Sequence, residues 1–131
     1  MASLGLISLV VDDYDRGIRH FVDDLGFELV CDLDQGDKRW VVVAPAGTAD
    51  DPNATHLLLA QASDDDQRAR IGDQTGGRVF LFLHTDDFER DHQRMLGRGV
   101  QFLEAPRHEE YGTVAVFVDA FGNKWDLLEP A

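Results

Sequence analysis

The chain writes one phrase twice: DDYDR at Asp12–Arg16 and DDFER at Asp86–Arg90, 74 residues apart in a sequence of 131. Each phrase follows an apolar run, LGLISLVV (Leu4–Val11) in the first case and RVFLFLHT (Arg78–Thr85) in the second. Each precedes a segment that closes on a glycine and a hydrophobic residue, Gly26-Phe27 and Gly99-Val100. The echo therefore spans a whole structural unit. A short run rich in branched aliphatics reads as a strand, and the acidic residues after it suit the positive pole of a helix that starts there.

Outward from the first corner, Tyr14, Ile18, Phe21, Val22 and Leu25 recur at spacings of three and four. They form one apolar stripe of a helix over Tyr14–Leu25 that Gly26 ends. Strands are expected at Phe27–Leu33, Lys38–Ala44 and Thr55–Gln61, separated by the turn DQGD (Asp34–Asp37) and the polar Gly/Pro loop Pro45–Asn53. Outward from the second corner the order repeats. A strand at Arg78–Thr85 leads to a helix at Asp87–Arg98 with Phe88, Met95 and Leu96 inward, then to strands at Val100–Leu103 and Thr113–Val118. The tight turn DAFGN (Asp119–Asn123) precedes the last strand, Lys124–Glu129, and the polar stretch Ala62–Gly77 reads as a linker. The expected architecture is a single α+β domain over 1–131, with two βαβββ modules, 1–61 and 78–131, joined by linker 62–77. One module alone leaves a sheet face bare. Pairing the two about a pseudo-twofold axis, as a curved mixed sheet around a cavity, is the economical way to cover it.

Composition narrows the function. With 44% hydrophobic and 28% charged residues the chain is rich enough in apolar side chains to bury one core. A net charge of −13 repels phosphate backbones and anionic lipid, so neither nucleic acid nor membrane is an expected partner. No run approaches the ~20 apolar residues needed to cross a bilayer. The first apolar run has no basic residue before it, unlike a secretory leader. Cys31 is the single cysteine, so it has no internal disulfide partner, and a cytoplasmic location is expected.

The stretches YDRGIRHFVDDLGFELV (Tyr14–Val30), GVQFLEAP (Gly99–Pro106) and DAFGNKWDLLEP (Asp119–Pro130) resemble the vicinal oxygen chelate superfamily, which includes glyoxalase I, extradiol dioxygenases, fosfomycin-modifying enzymes and bleomycin-resistance proteins. The resemblance covers nearly the whole chain. It implies a divalent cation in the enzymatic members, held by four side chains, usually His and Glu, on four strands facing the cavity. Carried onto this sequence, those positions are Leu6, a residue near Leu58, Phe80 and Asp126. The internal repeat agrees, since adding 74 to Leu6 gives Phe80. A hard dication needs oxygen or nitrogen lone pairs, which hydrocarbon cannot supply. The expectation is therefore no metal and no cofactor. A displaced site made from His56, His84 and Asp126 is the alternative.

Asp126 is the residue to which chemistry is assigned. Strand alternation puts it on a face with Lys124 and Leu128, and puts Phe80, Phe82 and His84 together on another strand. A carboxylate placed among Leu6, Leu58 and Phe80 either rises in pKa or acquires a partner. Arg107 and Tyr111, in the loop PRHEEYG (Pro106–Gly112), are candidate partners and ligand contacts, and Trp40, on a face with Val42 and Ala44, is a candidate cavity wall. His20, His92 and His108 read as surface or helix positions without a role. The ligand-binding set is thus Leu6, Trp40, His56, Leu58, Phe80, Phe82, His84, Arg107, Tyr111 and Asp126. Two functions follow. One is a metal-free binder resembling bleomycin-resistance proteins, which take an amphipathic or cationic small molecule. The other is a glyoxalase-like lyase or isomerase, or a dioxygenase, with Asp126 as base or with a displaced metal. The resemblance also implies a homodimer.

Overall fold

The duplicated phrase is duplicated as structure. The computed structural model describes residues 1–131, which form two units, Met1–Ile71 and Gly72–Ala131. In the first, β1 (Leu6–Val11) leads into α1 (Tyr14–Arg19), which continues as a π-helical turn over His20–Asp24. β2 (Glu28–Asp34), β3 (Arg39–Ala44), β4 (His56–Gln61) and the single turn α2 (Asp65–Arg68) follow. The second unit runs β5 (Val79–His84), α3 (Phe88–Gly97), β6 (Gln101–Phe102), β7 (Arg107–Glu109), β8 (Gly112–Val118) and β9 (Lys124–Pro130). Sheet orders are β1-β4-β3-β2 and β5-β9-β8-β6, with β7 also on β8. In both sheets the first strand pairs parallel with the last, β1 with β4 and β5 with β9. The α+β class and the repeat of strand, helix and strands are therefore present.

The two corners are built alike. Asp13 caps α1 by accepting from the Arg16 amide at 2.8 Å, and Asp87 caps α3 by accepting from the Arg90 amide at 3.0 Å. Arg16 pairs with Asp12 and Arg90 with Asp86, each at 3.0 Å and i,i+4 spacing. The first helical amide is also met from the last strand of its own unit: Tyr14 N donates to Gln61 Oε1 at 3.0 Å, and Phe88 N to Glu129 Oε1 at 2.7 Å. Each helix thus has orphan donors satisfied twice over. Gly26 leaves the first helix at φ +77°, a conformation that a side chain would strain.

Alternation sorts each sheet into a helix-covered face and an open one. In the first unit Leu9, Val11, Val41, Val43, Leu57 and Leu59 are buried with Phe21 and Leu25 of the helix. In the second, Phe88, His92, Phe102, Phe117 and Trp125 form a run of ring contacts with centroids 4.6–5.7 Å apart. Fully burying one such side chain stabilises by about 1.5–3 kcal/mol. No helix is long and apolar enough to cross a membrane.

Several expectations need correction. The stretch Ala62–Gly77 is not a plain linker, because Asp64 caps the turn α2 by accepting from the Gln67 amide at 2.8 Å. The loop Pro106–Gly112 contains a strand, β7, joined to β8 by a two-residue turn. The expected strand Val100–Leu103 shrinks to Gln101–Phe102. Leu96 is 44% exposed rather than inward, since Phe88, His92 and Met95 take the buried side of α3. His20 and His92 are buried, not surface residues. His20 Nδ1 lies 3.0 Å from Asp24 Oδ2, and the His92 ring stacks on Phe88. Apolar periodicity counts a histidine as polar, whereas its ring packs like an aromatic one when its nitrogens find partners.

Candidate functional site

Cross-strand register builds the site. In the first sheet Leu58 lies opposite Ser8 on β1 and Val42 on β3. In the second, Asp126 lies opposite Phe82 on β5 and Val116 on β8. Ser8 and Phe82 are 74 residues apart, so these two rows are the same row of the repeat. Leu6 stands opposite His56, two residues along β1 from the Leu58 row. Phe80 falls in a register shift between Val79 and Leu81 and has no direct partner.

Within Gly72–Ala131, Asp126 is the centre of a charged group. Its Oδ1 is buried and has no hydrogen-bond partner. Burial pushes the carboxyl above the ordinary carboxylate range, Arg107 pulls it back, and Glu104 pushes it further up. Arg107 is not aimed at Asp126 as a partner. Its guanidinium donates to Glu104 Oε1 at 2.9 Å and to Glu109 Oε1 at 3.0 Å. A hydrogen bond with the Tyr111 side chain helps raise its pKa further. Glu104 is held low chiefly by Arg107 against the opposing effect of burial, with the Val116 amide donating to its Oε2 at 3.0 Å. Beside the carboxyl, Phe82 is 61% exposed and Tyr111 54% exposed. His84 is exposed at the end of β5, opposite Leu128. The arrangement therefore offers an aromatic surface next to an acceptor oxygen that lacks a donor. Glu104 did not stand out in the sequence; its i,i+3 spacing to Arg107 was the available sign.

Within Met1–Ile71, Leu6, Trp40, His56 and Leu58 all belong to the open face, as the pairings Leu6↔His56 and Val42↔Leu58 require. His56 Nε2 is 3.0 Å from the Thr48 carbonyl, which occupies that nitrogen. Two clefts open in this unit. One, of ≈ 570 Å³ at the β2–β3 hairpin, is charged, and across it Arg39 pairs with Asp32 at 2.7 Å. The other, of ≈ 400 Å³, includes Tyr14, Trp40, Leu58, Ala60, Gln61 and Gln67 in its lining.

Nowhere do three His, Cys, Asp or Glu side chains gather in a set able to hold a metal ion, so His56, His84 and Asp126 do not form the displaced site expected as an alternative. At the positions assigned by resemblance, Leu6, Leu58 and Phe80 offer no lone pair. The donors present do not fit the divalent cation of the enzymatic relatives.

Comparison with known proteins agrees with this geometry. An uncharacterized protein of Shewanella frigidimarina is 54% identical over 125 residues, covering 94% of this chain and 90% of the relative. Among solved structures, UcmS2 superposes with a TM-score of 0.82 at 27% identity, covering 98% of each chain. TnmS3, described as an antibiotic binding protein from Streptomyces sp. CB03234, gives 0.77 at 28% identity, covering 100% of this chain and 98% of that one. The family model that matches residues 3–127 carries the same architecture, and the chain belongs to the Glyoxalase/Bleomycin resistance protein/Dioxygenase superfamily.

Proposed function

We propose that this protein is a metal-free small-molecule binder that seats an amphipathic ligand carrying an aromatic body and a cationic or hydrogen-donating group. The observation that carries this reading is the partnerless, buried Asp126 Oδ1 beside exposed Phe82. Leaving a buried acceptor unpaired costs about 1–3 kcal/mol, so a ligand that brings a donor regains that energy as affinity. The aromatic neighbour supplies apolar area, and binding sites commonly combine a few polar groups with such walls. The likeness to an antibiotic binding protein supports the same class of function. The reading treats the chain as one domain of two modules. It also includes a homodimer, consistent with the exposed Leu33 and Phe82.

Thermal shift with 2-naphthylmethylammonium, its neutral alcohol, and salts of nickel, zinc, manganese and iron tests the proposal. The amine should raise Tm more than the alcohol, and Asp126→Leu should abolish the difference. Stabilisation by a stoichiometric metal ion would defeat the metal-free reading. Equal shifts for amine and alcohol would defeat the assignment of Asp126. Sedimentation velocity reads the expected dimer.

The raised Asp126 carboxyl favours a second reading, a lyase or isomerase with Asp126 as base. It requires turnover that Asp126→Asn removes without removing ligand binding.

A further inference from the structure

We propose that the ≈ 400 Å³ cleft of Met1–Ile71 is a separate binding site for a planar aromatic acid, with Trp40 and Leu58 as its apolar wall and Lys38, Gln61 and Gln67 as its donors. Its volume suits a two-ring ligand. Every residue lining it comes from the first unit, so this inference does not depend on the role of Asp126.

The polarity of the cleft follows from hydrogen bonds that are already made. Gln61 Oε1 accepts from Tyr14 N at 3.0 Å. Gln67 Oε1 accepts from Ser63 N at 2.8 Å and from Ser63 Oγ at 3.0 Å. Both carboxamides are thereby fixed in orientation, because a backbone amide meets only their oxygen. What each has left is its NH2 group, a pure donor. Of the two cations at the cleft, Arg39 is held by Asp15 at 2.9 Å and by Asp32 at 2.7 Å. Lys38 enters no ion pair, and Asp37 is the one carboxylate on the lining. In a chain of net charge −13, the groups left unengaged here are mostly donors, with an ammonium among them. A ligand that complements them brings acceptor oxygens and a negative charge.

The second unit shows that the donor at Gln61 is not needed for folding. Glu129 occupies the equivalent place, and its Oε1 takes the Phe88 amide at 2.7 Å as Gln61 takes that of Tyr14. The structural task uses only an oxygen. The amide nitrogen of Gln61 is therefore surplus to it and is assigned to the ligand.

Isothermal titration calorimetry with naphthalene-2-carboxylate and its neutral counterpart naphthalene-2-methanol tests the site. The acid should bind more tightly than the alcohol. Lys38→Met, Gln61→Glu and Gln67→Glu should each weaken the acid about tenfold, the usual effect of losing a charge-assisted hydrogen bond. Trp40→Ala should weaken acid and alcohol together. The glutamate variants keep the oxygen that accepts from the backbone, and Lys38→Met removes no structural contact, so at least one variant reads the site without disturbing the fold. Equal affinity for acid and alcohol, no binding of the acid, or an acid affinity indifferent to all three donor substitutions would overturn the proposal.

Discussion

Ser8–Leu58–Val42 in the first unit and Phe82–Asp126–Val116 in the second are the same row of one repeat. One carries hydrocarbon and a hydroxyl at its centre, the other a carboxylate with an unpartnered oxygen. The backbone accommodates both because that row lies on the open face of its sheet, whereas the covered face, with Leu57, Leu59, Trp125 and Leu127, is apolar in both units. The helix-covered face is constrained by packing and the open face is available for chemistry. The difference between Leu58 and Asp126 is a difference of function laid on an unchanged scaffold.

The comparison can be broken most severely at the turns that enter the two last strands. In the second unit Asp119 is 4% exposed and accepts from Phe121 N, Asn123 N, Asn123 Nδ2 and Trp125 Nε1 at 2.9–3.0 Å. The first unit reaches β4 through Pro45–Thr55, where Thr48 Oγ1 donates to the Pro45 carbonyl at 2.7 Å. Asp119→Ala strands several buried donors at once and should lower the unfolding free energy by roughly 3 kcal/mol or more. Thr48→Val should cost a fraction of that. Urea denaturation of the two variants measures the contrast.

Exchanging the central residues of the rows sharpens it. Leu58→Asp plants a carboxylate among hydrocarbon side chains and should cost about 1–3 kcal/mol. Asp126→Leu removes an unsatisfied acceptor and should stabilise by about 1 kcal/mol. If both exchanges destabilise alike, Asp126 has a donor that its surroundings do not reveal, and the asymmetry is structural rather than functional.

The smallest effect is in pH. The folded Asp126 carboxyl lies above its ordinary value of 3.8, so the folded chain keeps that proton to higher pH than the unfolded one. The stability this contributes is fully present below 3.8 and is lost as pH rises through the raised folded value. Glu104 has the opposite sign. Its folded value is below the ordinary 4.5, so its contribution is present above 4.5 and is lost as pH falls through the lowered value. Asp126→Asn should remove the first dependence from a Tm profile between pH ~3 and ~7, and Glu104→Gln the second. Both groups are partly solvated, so the shifts should be small.

Much of this molecule was legible in order along the chain. The repeated DDYDR and DDFER mark real corners because an N-cap and an i,i+4 ion pair are local: Asp13 and Asp87 need only the three residues that follow. Alternation on β4 and β9 likewise sorted Leu58 from Leu59 and Asp126 from Leu127, since side chains on a strand take opposite faces whatever lies beyond. Other features depended on distant partners. That β7 forms from Pro106–Gly112 depends on the edge offered by β8, and the burial of His92 depends on Phe102 lying beside α3. The engagement of Arg107 by Glu104, and the turning of the Gln61 and Gln67 oxygens away from a cleft, arise when residues apart in sequence compete for the same donors. Sequence by itself determined the repeat, the caps and the face each side chain takes, because those are set within a few residues. Only the tertiary structure decided which polar atoms are already satisfied, and hence which are left for a ligand, because hydrogen-bond partners are assigned by the whole fold.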